Sequence, residues 1–253
     1  MGRRAREKAT PARERIGGIH AVSALLAHGP EQITQLWLRE REGRLASLAN
    51  EAEAAGLSVQ LAAASTLTRL ADDEHHQGVV AEFRPRQPVT EADLMARLDQ
   101  AGRSALVLVL DEVQDPRNLG ACLRSAAAAG ASAVVAPRSR SAPLTAAARR
   151  SAAGAAERLP LAIVPNLARC LNRLGEAGLW RVGLSGQAET SLYAADLAGP
   201  LALVLGSEEK GLRRLTAEHC DQLAAIPMPG GMESLNVSVA AGIGLFEAVR
   251  QRQ

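Results

Sequence analysis

The feature that most constrains this chain is a repeated strand-then-helix rhythm that begins at Leu106 and continues almost to the C-terminus. Strand-length apolar runs fall at 106–110, 133–136, 161–164, 180–184, 201–205 and 223–226, and helical stretches lie between them at 119–129, 142–153, 167–177 and 212–220. Strands joined by helical crossovers lie parallel, so the pattern predicts an α/β domain whose parallel sheet is covered on both faces. Ligands of such sheets sit at the C-terminal ends of the strands.

Upstream, residues 17–83 repeat the alternation on a smaller scale. Helices are expected near 20–26 and 41–55, strands at 35–38, 57–61 and 78–83, and one more helix before the last strand. Arg84-Pro85-Arg86-Gln87-Pro88 then has two prolines and no apolar residue, as a linker should. Thr90 with Asp93 forms the pattern of a capping box opening a helix to about residue 100. The expected organisation is a basic, disordered arm (1–15), a small α/β domain (16–83), a linker and connecting helix (84–104) and the parallel-sheet domain (105–253).

Charge and composition narrow the function classes. The net charge is +2, and the first fifteen residues carry six basic and two acidic side chains (+4), leaving about −2 for the rest, so a nucleic-acid surface must be a local patch. Arg138, Arg140, Arg149, Arg150 and Arg158, with Lys210, Arg213 and Arg214, supply local bias that reads equally as a solvated face or as RNA contact. Aromatic residues make up 2% of the chain, too few for base stacking to dominate readout. No apolar run approaches the about 20 residues a membrane span needs, and none follows the basic N-terminus as a secretory signal would, so the expectation is a cytoplasmic protein. Cys122, Cys170 and Cys220 are odd in number and form no C-x-x-C pair, which argues against a disulfide framework or a zinc site and for reduced, buried thiols.

Three segments carry polar residues where chemistry is expected. After the first strand comes Asp111-Glu112-Val113-Gln114-Asp115-Pro116-Arg117-Asn118-Leu119-Gly120, with no G-x-G-x-x-G dinucleotide fingerprint. Asn118 stands where a helix begins and reads as its N-cap, while Arg124, six positions on, is either a solvated residue or a charge aimed at a site. The second segment runs from an apolar strand into Gly206-Ser207-Glu208-Glu209-Lys210-Gly211, glycines that let backbone approach closely around a carboxylate. In the third, a Pro- and Gly-rich loop from Ile226 through Ser234 and Asn236 feeds a helix in which, over 237–249, only Ser238 and Glu247 are polar. Such a helix requires burial on most sides, and Gly242 and Gly244 would let another backbone pack on it at a cost of about 1 kcal/mol each. A buried terminal helix points to a subunit interface.

Together, in order and spacing, these segments resemble the three motifs of the SpoU family in the SPOUT superfamily of RNA methyltransferases. The resemblance implies a parallel-sheet SPOUT domain with a C-terminal trefoil knot, a homodimer formed through the knot region, and a small N-terminal domain similar to ribosomal protein L30e that holds RNA. It implies S-adenosyl-L-methionine (SAM) as cofactor, with Leu205, Gly206, Ile226, Met228 and Leu235 around it, and no metal. Asn118, Arg124, Glu208, Ser234 and Asn236 match the polar active-site positions. The implied reaction is methylation of a guanosine ribose 2'-hydroxyl in 23S rRNA, at the peptidyl-transferase P loop. A tRNA or another rRNA nucleotide is the nearer alternative, and a non-catalytic ribosome-assembly protein the more distant one. Glu233 beside Ser234, and Glu209-Lys210, depart from the family's usual wording. A neutral guanidine at pH 7 costs about 7 kcal/mol, so Arg124 is expected to act electrostatically rather than as a base. Glu208 and Asn236 are expected to orient Arg124 and the ribose, and Asn118 to hold the substrate or its phosphate.

Overall fold

The computed structural model describes residues 13–253, which divide into two compact units at Gln87 and Pro88. The first contains β1 (Glu14–Gly17), α1 (Ile19–His28), β2 (Ile33–Leu38), α2 (Gly43–Ala54), β3 (Val59–Leu61), α3 (Ala64–Ala71) and β4 (Val79–Phe83). Its sheet order is β1-β4-β2-β3, with β4 antiparallel to both neighbours and β3 parallel to β2. Alternation along β2 sends Leu36 and Leu38 into a core with Val22, Leu25 and Leu48, while Trp37 packs on the opposite face with Leu67 of α3.

β1 corrects the expected extent of the basic arm. Glu14 and Arg15 are strand residues, and the rest of that arm, residues 1–12, lies outside the described residues. The sequence Glu-Arg-Ile-Gly has too little apolar content to read as a strand; pairing with β4 and the ion pairs of Arg13 and Arg15 with Glu82, each 3.0 Å, hold it. Burial would raise the Glu82 carboxyl, but hydrogen bonds from Arg15 and Arg13 keep it below the ordinary range.

The second unit opens with α4 (Glu91–Ala101), where the Thr90 and Asp93 capping box forms as expected. Leu94 and Leu98 pack with Val107 and Val109, so this helix belongs to the sheet domain's core rather than to a connector. There follow β5 (Leu106–Leu110), α5 (Pro116–Ala128), β6 (Ala133–Pro137), α6 (Ala146–Ala152), α7 (Ala155–Arg158), β7 (Leu161–Val164), α8 (Leu167–Glu176), β8 (Trp180–Leu184), β9 (Leu201–Leu205), α9 (Arg214–Glu218), β10 (Gln222–Ala224) and α10 (Val237–Gln251). The six strands are all parallel, in the order β10-β8-β9-β5-β6-β7. Leu106, Leu108 and Leu110 face one core, with α5 and α10; Val107 and Val109 face the other, with α4 and α8. The helix expected from residue 142 begins later because Thr145 caps it, and it stops where Ala153 and Gly154 turn to φ 47° and 89°. The last strand ends at Ala224, leaving Ile226 just beyond it.

α10 is about 22 Å long and lies along the sheet. A Cβ at Gly244 would come 2.8 Å from Leu203 Cδ2, so this glycine is what lets the helix sit on β9. Gly242 has no such role, since its Cβ would meet only Ser125 Oγ at 3.8 Å. Beyond the helix, Arg252 donates to the carbonyls of Gly199 (2.6 Å), Leu197 (3.2 Å), Ser104 and Ala105 (3.3 Å each). Those carbonyls precede β9 and β5, so α10 runs antiparallel to the strands and brings its N-terminus to their C-terminal ends. Among the described residues, no helix is long and apolar enough to cross a membrane. Cys122 and Cys170 are buried as expected, whereas Cys220 is half-buried.

Candidate active site

The C-terminal ends of β5 and β9 and the N-terminus of α10 converge on one carboxylate. Glu208 Oε1 accepts hydrogen bonds from Asn118 Nδ2 (3.0 Å), Asn236 Nδ2 (2.5 Å) and the backbone N–H of Val237 (3.1 Å). Asn236 Nδ2 also donates to Asn118 Oδ1 at 3.0 Å, closing a triangle drawn from all three sequence segments. The amide orientations are mutually consistent: Asn236 caps α10, its Oδ1 accepting from the Ser238 N–H at 3.0 Å, which leaves its Nδ2 for the other two.

This arrangement corrects the reading of Asn118 as an N-cap. Asp115 caps α5, accepting from Arg117 N at 2.7 Å, with Pro116 in the first turn, and Asn118 is already helical, its side chain freed for the triangle. Asn236 has spent both amide hydrogens. Asn118 retains one, and Glu208 Oε2 has no hydrogen bond among the described residues, so both can serve a ligand.

The loop that presents Glu208 is pinched shut. Ser207 and Gly211 exchange backbone hydrogen bonds of 3.1 and 2.9 Å, and a Cβ at Gly206 would lie 2.0 Å from the Gly211 carbonyl carbon. The missing side chain at Gly206 therefore makes room for the protein's own loop, while Gly211, at φ 63°, supplies its left-handed turn.

Arg124 does not join the triangle. It is exposed on α5 and makes no hydrogen bond or ion pair among the described residues, so neither Glu208 nor Asn236 orients it here by a direct contact. Ser234 is exposed in the loop before α10, likewise without a bond to the triangle. Leu205 is a core residue at the end of β9, and Ile226 packs against the same cluster. Met228 and Leu235 are half-buried in the loop that leads from β10 to α10. Burial, with the Glu208 charge adding to it, pushes the nearby Cys122 thiol up to about 12, which removes it as a nucleophile.

Sequence reasoning gave no role to Asp111 and Glu112. Asp111 is fully buried, accepting from Arg213 Nε at 2.7 Å and Arg213 N at 3.1 Å, which ties the end of β5 to the segment after the Glu208 loop. Glu112 is buried at φ 63° and faces Arg140 at 3.2 Å and Arg213 at 3.4 Å. Two carboxylates directly after an all-apolar strand were the available signal. The cleft that Glu112 borders is acidic, lined also by Asp115, Glu208 and Glu209 against Lys210. Arg149, one of the basic residues considered for RNA contact, is instead buried with Glu157 at 2.5 Å.

Known proteins share this architecture. The model of the SpoU rRNA methylase family matches residues 105–246, and a model for RNA 2'-O ribose methyltransferase substrate binding matches residues 15–89. The 23S rRNA (guanosine-2'-O-)-methyltransferase RlmB of Pseudomonas putida is 51% identical over 242 residues, 95% of this chain and 97% of that protein. RlmB of Shewanella oneidensis is 51% identical over 241 residues, 94% and 97% of the two chains. Among solved structures, the AdoMet-bound rRNA methyltransferase from Sinorhizobium meliloti has a TM-score of 0.78 at 26% identity, covering 95% of this chain and 88% of its own. The segments matched by the first model are those that build the triangle, and the likeness to RlmB extends over nearly the whole of both chains; this chain belongs to the SpoU rRNA methylase family.

Proposed function

We propose that this protein methylates the ribose 2'-hydroxyl of a guanosine in 23S rRNA, at the peptidyl-transferase P loop, using SAM. The observation that carries the reading is the triangle of Asn118, Glu208 and Asn236, which gathers one polar residue from each family segment at the ligand-binding end of a parallel sheet. The residues present suit the cofactor: Ile226, Met228 and Leu235 offer half-buried apolar surface of the kind a purine needs, and Ile226 packs on the cluster that holds Leu205. Bound SAM supplies an electrophilic methyl group on a sulfonium.

The chain's own residues align the acceptor oxygen and stabilise the charge that grows on it. Glu208 is immobilised by three donors to one oxygen, so its other oxygen can accept from a ribose hydroxyl without reorganisation. The remaining Asn118 N–H is available to a sugar or phosphate oxygen. Arg124, cationic and unpaired among the described residues, stabilises the incipient alkoxide. Ser234 contributes from the loop that enters α10.

The same reading extends to architecture. The first unit is an L30e-like domain that holds the RNA, as the match of residues 15–89 supports. The last segments are threaded as a trefoil knot, in keeping with the pairing of Leu192 with Ala225 and the anchoring of α10 by Arg252 at the strand starts. Val239 and Phe246, about half exposed on α10, supply apolar surface for a homodimer. An enzyme acting on ribosomal RNA belongs in the cytoplasm.

The test is transfer of radiolabelled methyl groups from SAM to unmodified 23S rRNA, followed by mapping of ribose methylation. One 2'-O-methylguanosine in the P loop is expected. RNA binding without incorporation would instead identify a non-catalytic assembly factor, and incorporation into tRNA a different substrate.

A further inference from the structure

The cleft beside the triangle has the wrong sign for its substrate. Asp115, Glu208 and Glu209 oppose Lys210, and Glu112 is offset by Arg140 and Arg213, so an RNA strand gains nothing electrostatically from entering and must be held by cations on the rim. The arginines that meet this need lie along the C-terminal edge of β5, β6 and β7. Arg140, its side chain 70% exposed, reaches Glu112 of the cleft at 3.2 Å. It is held at φ 58°, a left-handed backbone that non-glycine residues rarely adopt. Arg138, exposed just past β6, makes no ion pair among the described residues, and its backbone N–H bonds the Val164 carbonyl at the end of β7. Next along the edge, Arg169 and Arg173 of α8 both approach Glu91, each at 3.1 Å, so two cations share one carboxylate.

We infer that Arg138 and Arg140, with Arg169 and Arg173 beyond them, form a track for the phosphates of the RNA strand flanking the reactive nucleotide. This rests on the proposed methyltransferase reading and adds to it the surface that brings the substrate in. Two strand spacings separate β5 from β7, about 10 Å, a span on the order of two to three nucleotides. The row's four arginines meet Glu91 and Glu112, and with Glu112 counted here the cleft keeps Asp115, Glu208 and Glu209 against Lys210, so the row is net positive where the cleft is net negative. Of the basic residues after the first motif, Arg138 and Arg140 are exposed, Arg140 while paired with Glu112, and Arg149 is buried against Glu157.

The test compares R138E/R140E with R103E, a single charge reversal at an exposed residue before β5, at the opposite end of the sheet. Binding to an unmodified 23S rRNA transcript is measured over a KCl series, and SAM binding by calorimetry. For R138E/R140E the RNA Kd should rise at least about 10-fold, and the slope of log K against log salt should lessen by about 1.4, or 0.7 for each lost phosphate contact. SAM affinity should be unchanged, and R103E should stay within about 2-fold of wild type. The neutral pair R138Q/R140Q, which keeps side-chain size, should show the same change of slope should the reversed charges disturb folding. An unchanged slope in R138Q/R140Q, with wild-type protein that binds SAM and methylates the transcript, overturns the track and leaves the methyltransferase reading standing. Wild-type protein that neither binds SAM nor methylates overturns both.

Discussion

The two ends of α10 are built on opposite plans. At its N-terminus, Asn236, Glu208 and Asn118 hold one another yet leave a carboxylate oxygen and an amide hydrogen unspent. At its C-terminus little is left over. Gln251 gives both amide hydrogens, to Ala195 and Glu247, and accepts from Leu197 N; Arg252 serves four carbonyls; Glu247 receives Arg250 and Gln251. One helix therefore carries a closed anchor at one end and an open, positioned set of hydrogen-bonding groups at the other. Stability should reside in the first and chemistry in the second.

The sharpest way to break this contrast is at the open end. Glu208→Ala should lower the methyl-transfer rate by about 100- to 1000-fold, the size of effect seen when one preorganised polar group is removed from an active site. Its unfolding free energy should change by less than about 1 kcal/mol, because Glu208 is exposed. A large loss of stability in urea denaturation would mean that the triangle is structural cement. Next in size, Arg252→Ala should cost about 2 kcal/mol of stability, as charged hydrogen bonds to four carbonyls are lost, while the rate per folded molecule stays near wild type. A normal denaturation midpoint with a collapsed rate would reverse the assignment of the two ends.

The smallest effect refines the anchor. Hydrogen bonds from Arg250, then Gln251, hold the Glu247 carboxyl down at about 2, against an ordinary 4.5. Its contribution is therefore complete above pH about 4.5 and is lost as pH falls toward 2. Glu247→Gln should lower the melting temperature at pH 7, where that contribution is complete, and the gap to wild type should close as pH falls from about 4.5 toward 2; parallel wild-type and variant curves through that window would remove Glu247 from the anchor.

What could be read in the sequence follows from which forces act locally. β5, β7, β8 and β9 were legible to the residue because each is an apolar run cut off by a turn. β1 was not, since what makes it a strand is β4 and Glu82, almost seventy positions away. At Asn118 the N-cap reading missed Asp115, three residues earlier, although Pro116, favoured in the first helical turn, was a signal for it. The gathering of Asn118, Glu208 and Asn236 came from family motifs; spacing alone, at separations of 90 and 28 positions, carries no such information. The burial of Arg149 was illegible because Glu157 lies beyond the break between α6 and α7.

The pinched loop from Gly206 to Gly211 has a consequence for the temperature dependence of turnover. Fixing one residue's backbone takes about 1–2 kcal/mol of entropy at room temperature. Because Ser207 and Gly211 are already bonded to each other in both directions, that ordering is complete when the chain has folded, and a substrate meets a carboxylate that has no freedom left to lose. An alanine at position 206 would pry the ring apart and defer the ordering to every catalytic cycle. Its signature would be a more negative activation entropy, with the enthalpy of methyl transfer left nearly as it was.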